Sequence, residues 1–299
     1  MTLKKIVNNS LIKGIMNFIF KFLSDKQIIK IQYIATLKRK PNLKEPKRFT
    51  EKIQWYKLNY RNSLMTICAD KHLVKDYMKR KGYENILVKS YQVCDSFNEI
   101  DFDKLPDSFV VKSNKGSGTN MFVKDKHKVN KQILKKEVEK WNNVNTVLMG
   151  REWAYKNIKP KIVVEELLVD NTNKTGELND YKFMCFNGKV KVVWCDVDRY
   201  SGHRRNFYDS NWELLEVRAD CPNMDMKIPK PKEFKYMKEV AEAIAADFPF
   251  VRVDFYEIEG KVYFGEITFY PWSGCMQFTP DGFDYDLGGM LILPDTVNN

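Results

Sequence analysis

The sequence predicts an α+β fold, with antiparallel hairpins carrying the polar chemistry and amphipathic helices set between them. Three observations lead there. Residues 180–186 and 189–196 alternate apolar and polar side chains around Asn187-Gly188, the strongest short hairpin signal. Residues 251–256 and 261–269 repeat the pattern around a second turn. Stretches 49–58, 73–81, 131–141 and 233–247 change to helical apolar spacing.

With 43% hydrophobic and 13% aromatic residues, the chain can build a core, and 299 residues leave room for two domains. Cys68, Cys94, Cys185, Cys195, Cys221 and Cys275 form no Cys-x-x-Cys pair and show no zinc-like spacing with the three histidines. Scattered cysteines, no secretory cleavage pattern and no apolar run long enough to span a bilayer set the expected location as cytoplasmic. The net charge of +11 is concentrated: residues 1–50 hold twelve Lys and Arg against Asp25 and Glu45. A basic arm on a near-neutral body argues against wrapping nucleic acid. It favours an anionic partner for residues 1–45, such as the inner face of the plasma membrane.

Taken in order, residues 8–24 are apolar nearly all round, interrupted by Lys13 and Lys21. That suits a helix lying in a membrane interface or packed on the protein's own body. A basic linker with Pro41 and Pro46 leads to a helical pattern carrying Ile53, Trp55, Tyr56 and Leu58. A second helix, 73–81, follows Ala69-Asp70-Lys71 and stops at Gly82. Residues 86–93 read as a strand. The stretch FVVKSNKGSGTN, 109–120, delivers Lys112 on a strand and then breaks at Gly116-Ser117-Gly118-Thr119. Small residues there let backbone N–H groups close around phosphate oxygens, although a plain glycine-rich hairpin turn reads the same way. A strand at 121–123, the helix 131–141 and a strand at 161–164 complete this part.

In the next hairpin a two-residue turn pairs Phe186 with Lys189. Tyr181, Phe183, Cys185, Val190, Val192 and Trp194 then share an apolar face, and Asp180, Lys182 and Lys191 the open one. The basic-aromatic loop 198–206 either clamps an acidic substrate or is simply solvated. Helix 233–247 turns Phe234, Met237, Val240, Ala241 and Ile244 inward. In the last hairpin a three-residue loop, 258–260, places Arg252 opposite Glu266, with Asp254 diagonal at roughly 7–8 Å between backbones. Thr268 shares that face; Val251, Val253, Phe255, Tyr263, Ile267 and Phe269 take the other. Two carboxylates so close suit a divalent cation with oxygen ligands, and an Arg–Glu cross-strand pair with a solvated Asp254 is the plainer reading.

As an ordered set, several stretches resemble the TupA-like branch of the ATP-grasp proteins, found among bacterial surface-polysaccharide genes. They are FTEKIQWYKL (49–58), ADKHLVKDYM (69–78), VVKSNKGSGTN (110–120), VVEELL (163–168), DYKFMCFNGKV (180–190) and RVDFYEIEGKVYFGEITFYPWSG (252–274). The resemblance implies two lobes with antiparallel sheets enclosing ATP: a small lobe over 86–164 and a large lobe over 165–299, after a basic, helix-rich region over 1–85. It implies that Lys71 and Lys112 reach ATP phosphates, while Lys115, Gly116, Ser117, Gly118 and Thr119 close over the γ-phosphate. Glu165, Glu166 and Leu168 would read the adenine edge and Asp170 the ribose. Lys182 fits near the γ-phosphate. Asp254 and Glu266 fit Mg²⁺, with Thr268 standing where the family has asparagine. Arg252 would steady an acyl phosphate and the tetrahedral intermediate, joined by the Gly274 N–H.

The implied activity is ATP-dependent ligation of a carboxylate to an amine through an acyl phosphate. The expected partners are an amino acid or small amine and a uronic-acid or amino-sugar unit of a surface polysaccharide, with Arg199, Arg204 and Arg205 on the acidic group. Glycosyl transfer is a second class; Asp196-Val197-Asp198 has the metal-motif spacing but no Rossmann-like pattern around it. A non-catalytic membrane- or polymer-binding module is the third, resting on the basic arm.

Overall fold

The computed structural model describes residues 22–142, 150–173 and 175–295. The apolar stretch proposed for a membrane interface therefore lies outside the described residues up to residue 21. Among the described residues no helix is long and apolar enough to cross a membrane.

Local hydrogen bonding explains where the first helices begin. Ser24 and Gln27 form a capping box ahead of α1 (Asp25–Leu37). The Glu51 carboxylate accepts from the backbone N–H groups of Asn42, Lys47 and Arg48, so α2 (Phe49–Asn59) caps itself from its first turn. Asn62 caps α3 (Ser63–Ala69). Asp70 Oδ1 accepts from His72 and Leu73 N–H at the start of α4 (Leu73–Arg80), which stops at Gly82 with φ +85°. Strand pairing then begins at Ser90, later than the apolar run suggests, because Glu84–Ile86 forms a 3₁₀ turn with Ile86 in the core.

The strands β1 (Ser90–Cys94), β2 (Phe109–Ser113), β3 (Asn120–Val123) and β4 (Ile162–Glu166) make one antiparallel sheet, ordered β1-β4-β2-β3. Helix α5 (Lys131–Asn142) covers one face, setting Leu134, Val138 and Trp141 against Phe109, Val111, Ile162 and Val164. Strand alternation turns Val110, Lys112, Val163 and Glu165 to the other face.

A second antiparallel sheet is built from β5 (Asp180–Phe186), β6 (Lys189–Val197), β7 (Arg204–Asp209), β8 (Leu214–Leu215), β10 (Phe250–Ile258) and β11 (Lys261–Thr268). Its order is β11-β10-β5-β6-β7-β8, and β9 (Arg218–Ala219) pairs separately with β12 (Phe278–Thr279). Helix α6 (Phe234–Ala245) lies on one face, where Phe234 meets Phe183 at 5.5 Å between ring centroids. The opposite face has two halves. At one end Phe49 of α2 packs on Phe186 and Phe250, at 5.8 and 5.0 Å. The other half carries the charged residues described below. Residues from Phe49 to Ile86 thus share the core of the six-stranded sheet.

The last described helix, α7 (Phe283–Met290), and the turn before it are tied to residues 39–50. Asp284 accepts from Thr50 N–H and Oγ1, while Arg39 and Arg48 both bridge Asp281 and Asp284. Gly288 permits the approach, since a Cβ there would stand 2.0 Å from the Lys47 carbonyl oxygen.

Two β-bulges correct the expected registers. The 187–188 turn is as expected, with both residues at positive φ and Phe186 paired to Lys189. Beyond it, however, Cys185 opposes Val190 while Met184 opposes Val192. The extra residue, Lys191, flips the rest of β6, so Val192 and Trp194 join Lys182 instead of the α6 face. In the last hairpin the turn has two residues, Glu259 and Gly260, because Ile258 pairs with Lys261. A bulge at Gly265 then brings Asp254 opposite Glu266 and Arg252 opposite Thr268. The predicted charged face survives, one step displaced. Tyr263 changes sides and Phe264 replaces it in the core, because they lie on the turn side of the bulge.

Candidate functional site

The uncovered half of the large sheet gathers its charges in one layer. Arg252 spans β10 and β11: Nε donates to Asp254 Oδ1 at 2.7 Å, and Nη2 donates to Asp254 Oδ2, Glu266 Oε1 and Thr268 Oγ1 at 2.6, 2.8 and 3.0 Å. Lys182, on the neighbouring β5, donates to Asp254 Oδ2 and Asp180 Oδ2, both at 2.6 Å. Arg199 Nη1 reaches the same Asp180 oxygen at 2.7 Å. One strand further on, Trp194 lies under Arg252 with 5.3 Å from guanidinium to ring centre, and it stacks on Trp272 at 4.7 Å. Arg205 of β7 closes the row, bonded through Nε to Asp196 Oδ1 at 2.6 Å.

Burial and charge work against each other here. Burial would lower the Lys182 ammonium, but Asp180 and Asp254 outweigh it and hold that lysine above its ordinary pKa. Burial would raise the Glu266 carboxyl, yet Lys71 and Arg252 hold it down at about 2. Lys71 is pushed down by burial, with Glu266 opposing. Lys71, Tyr155, Gly265 and Glu266 line a small cavity with Cys68 and Val74.

Across from this layer stands the inner face of the four-stranded sheet. Lys112 and Lys75 both pair with Glu165, the latter at 2.6 Å. Burial would raise that carboxyl, but the two lysines outweigh it and lower its pKa. Lys71 Nζ donates to the Gly116 carbonyl at 2.5 Å, drawing the glycine loop down. Gly116 and Gly118 take φ +75° and +72°, where a side chain is disfavoured. Asn114 is fully buried beside the loop. Its amide donates to Asp70 Oδ2 and the Lys159 carbonyl and accepts from Lys161 N–H, which ties α4, the loop and the approach to β4 together.

A family described as TupA-like ATPgrasp matches residues 51–292. The chain belongs to that family. No curated protein matches it in sequence. Among solved structures it is similar to the D-alanine–D-alanine ligase of Bacillus anthracis, with 21% identity, 71% of this chain and 59% of that one covered, and a TM-score of 0.42. It is also similar to the D-alanine–D-alanine ligase of Helicobacter pylori, with 15% identity, 81% and 69% covered and a TM-score of 0.42. For the phosphoribosylamine–glycine ligase of Thermotoga maritima the figures are 16%, 78%, 57% and 0.41. The chain thus spans less than two thirds of the first of these ligases.

Most of the residues expected in an ATP-grasp site come together. Lys71, Lys112, Glu165 and the 115–119 loop form one group, and Lys182, Arg252, Asp254, Glu266 and Thr268 form the other. Glu166 does not join by its side chain, because β4 turns it to the face opposite Glu165. Asp170 Oδ1 accepts from Thr172 N–H and Oγ1 and so closes its own turn. Leu168 sits half-buried in the connection after β4. Arg199 and Arg205 are engaged by Asp180 and Asp196, while Arg204 pairs with Val197 on the other face of the sheet. Gly274, at φ +66°, packs on α2, where a Cβ would meet Gln54 Nε2 at 2.6 Å.

Sequence reasoning missed Asp196 and Trp194 as parts of the large-sheet layer, Asp180 as the partner of Lys182 and Arg199, Lys75 as a partner of Glu165, and Asn114 and Lys57 as supports. Asp180 and Asp196 are cross-strand partners, a pairing that only the Lys191 bulge produces. Lys57 is fully buried and donates to Ser273 O and Oγ at 2.7 and 2.6 Å, a role hidden within an ordinary helical pattern.

The donor chemistry fits ATP and a hard divalent cation. Two carboxylates and a hydroxyl, all oxygen donors, converge within 3.0 Å of one Arg252 nitrogen. Thr119 Oγ1, beside the glycine loop, and Asp180 Oδ1, on the large sheet, are buried without hydrogen-bond partners among the described residues.

Proposed function

We propose that the protein is an ATP-dependent carboxylate–amine ligase, and that its substrates are a uronic-acid or amino-sugar unit of a bacterial surface polysaccharide and an amino acid or small amine. The observation that carries the ligase reading is the convergence of Lys182, Arg252, Asp254, Glu266 and Thr268 on one face, opposite Lys112 and the glycine loop, in a chain of the ATP-grasp family. The sugar assignment rests on the sequence resemblance alone. The same reading divides the chain into a region over 1–85, a small lobe over 86–164 and a large lobe over 165–299.

In this mechanism a carboxylate oxygen attacks the γ-phosphorus of ATP, ADP leaves, and an amine then displaces phosphate from the acyl carbon. Asp254, Glu266 and Thr268 would hold Mg²⁺, which when bound supplies charge neutralisation on the phosphate oxygens. Lys112 and Lys71 bind phosphate oxygens from the small-lobe side. Lys182 places a fixed positive charge beside Asp254. Arg252 offers N–H groups to the oxyanion that forms at the acyl carbon. Lys115 through Thr119 cover the cleft and exclude water that would hydrolyse the activated acid.

The test is release of phosphate from Mg-ATP by purified protein with a panel of uronic acids and amino acids. Release that depends on both partners is the expected result; none across the panel would overturn the ligase assignment. Glu266→Gln should lower turnover by about 10²–10³-fold while the far-UV circular dichroism stays unchanged.

A further inference from the structure

Beside Arg205, the site layer ends in an arrangement that phosphoryl transfer leaves unused. His203 Nε2 lies 2.8 Å from Asp196 Oδ1. An ionised carboxylate can only accept, so in the neutral ring Nε2 carries the proton and the lone pair falls on Nδ1. The Asp196 carboxylate has every reason to stay ionised. Burial would raise it, but His203, Arg205 and Lys182 hold it well below the usual range. It is almost fully buried, while the His203 side chain remains 30% exposed. A base that substrate can reach is thus oriented by a charge that solvent cannot.

Asp196, His203 and Cys221 bring their ligand atoms within 4.8 Å of one another. A hard cation is a poor occupant, because the cluster offers a single carboxylate beside an imidazole and a thiol. The Cys221 thiol is pushed up by burial and is no ready nucleophile. His203 bonds Asp196 of β6; the charged and titratable groups that act on this cluster are Lys182 of β5, Arg199 before β7, Arg204 and Arg205 of β7, and Asp220 and Cys221 after β9. The position matters as much as the chemistry. Trp194 has the Arg252 guanidinium 5.3 Å from its ring centre and that of Arg205 5.6 Å away, so the histidine's neighbour and the oxyanion group border the same indole.

We propose that the amine substrate binds on the β6–β7 side of this indole pair, and that His203, oriented by Asp196, takes the proton the amine must lose. The inference rests on the ligase reading. An amine enters as ammonium at neutral pH, and only its deprotonated form has the electron pair that attacks the acyl carbon. The ammonium gives one proton to His203 Nδ1, which passes it to solvent; as nitrogen then bonds to the acyl carbon and the bond to phosphate breaks, the second proton leaves with the phosphate as HPO₄²⁻. Arg205 and Asp196 are positioning residues in this scheme.

The test compares two nucleophiles on the full-length protein with Mg-ATP and the same panel of uronic acids and amino acids as carboxylates. Hydroxylamine is largely uncharged at neutral pH and needs no base, so it reports activation of the carboxylate as a hydroxamate. Glycine needs the base. His203→Gln keeps a donor toward Asp196 but cannot take the proton. It should lower the ratio of glycyl amide to hydroxamate by about 10²–10⁴-fold and remove the histidine limb from the pH profile of amide formation. Imidazole added to His203→Ala should restore amide and leave hydroxamate unchanged. An unchanged ratio in His203→Gln, or equal loss of both products, would overturn the role of His203 while the ligase reading stands. No hydroxamate from the wild-type protein with any carboxylate would overturn both.

Discussion

A side chain at position 265 would place its Cβ 3.0 Å from the Asp254 carbonyl oxygen, so the bulge that sets Asp254 opposite Glu266 favours glycine there. Gly265→Val should cost about 1–3 kcal/mol in urea unfolding and weaken thermal stabilisation by Mg-ATP, because the two carboxylates move out of register. Unchanged nucleotide stabilisation would show that the bulge does not shape the site. Glu266 allows a separate check. Its carboxyl, ordinarily titrating near 4.5, is held at about 2 by Lys71 and Arg252 against burial. Since the folded value is depressed, the unfolded chain takes up the proton first on acidification. The stabilisation is complete above about 4.5 and disappears as pH falls through about 2. Glu266→Gln should therefore flatten the pH dependence of the urea midpoint across that window. Equal slopes in the two proteins would refute the pairing.

Among the elements, the turn Pro271–Gly274 departs furthest from relaxed geometry. Trp272, Ser273 and Gly274 all lie in the left-handed region, at φ +48°, +54° and +66°, which costs roughly 1–2 kcal/mol for each residue that is not glycine. Helix α2 holds them there. Lys57 donates to Ser273 twice, and Gln54 Nε2 donates to the carbonyls of Ser273 and Gly274, each at 2.9 Å. Lys57→Met should release the turn, lowering stability by about 1–3 kcal/mol and weakening the coupled indole signal of Trp194 and Trp272 in circular dichroism. An intact indole signal would mean the turn holds itself. None of this was legible in the sequence, because Lys57 sits in a plain helical pattern and its partner lies more than two hundred residues away. The hairpins themselves were legible, since Asn187-Gly188 encodes its own turn locally. Their faces were only partly so. A bulge changes side-chain parity through pairing along the whole ladder, and Lys191 carries no mark of it. Lys71, Lys112, Glu165 and Asp254 were named by resemblance to a family, whereas the Asp196 carboxylate that partners Arg205 required the fold.

At the scale of the whole molecule, the two sheets build separate cores, and a contact between them sits where a lid would close. Phe122 of β3 touches Tyr200 of the 198–203 loop edge-on at 5.6 Å, although both side chains are largely exposed. Lys71 holds the Gly116 carbonyl from the other side. Few buried apolar groups bind the hairpin shut, so opening should be easy and closure should depend on what fills the cleft. Trypsin cleavage after Lys115 reads this directly. Mg-ATP should slow it in the wild-type protein, and Phe122→Ser should raise the nucleotide concentration needed for protection severalfold. The ring contact contributes only about 0.5–1.5 kcal/mol, enough to shift the lid but not the fold. Tyr200→Ser should match it, and the double substitution should add little beyond either, because the two rings act as one contact. Additive effects would mean that each ring stabilises its own lobe independently. Cleavage that Mg-ATP does not slow would show that the loop does not close over nucleotide at all.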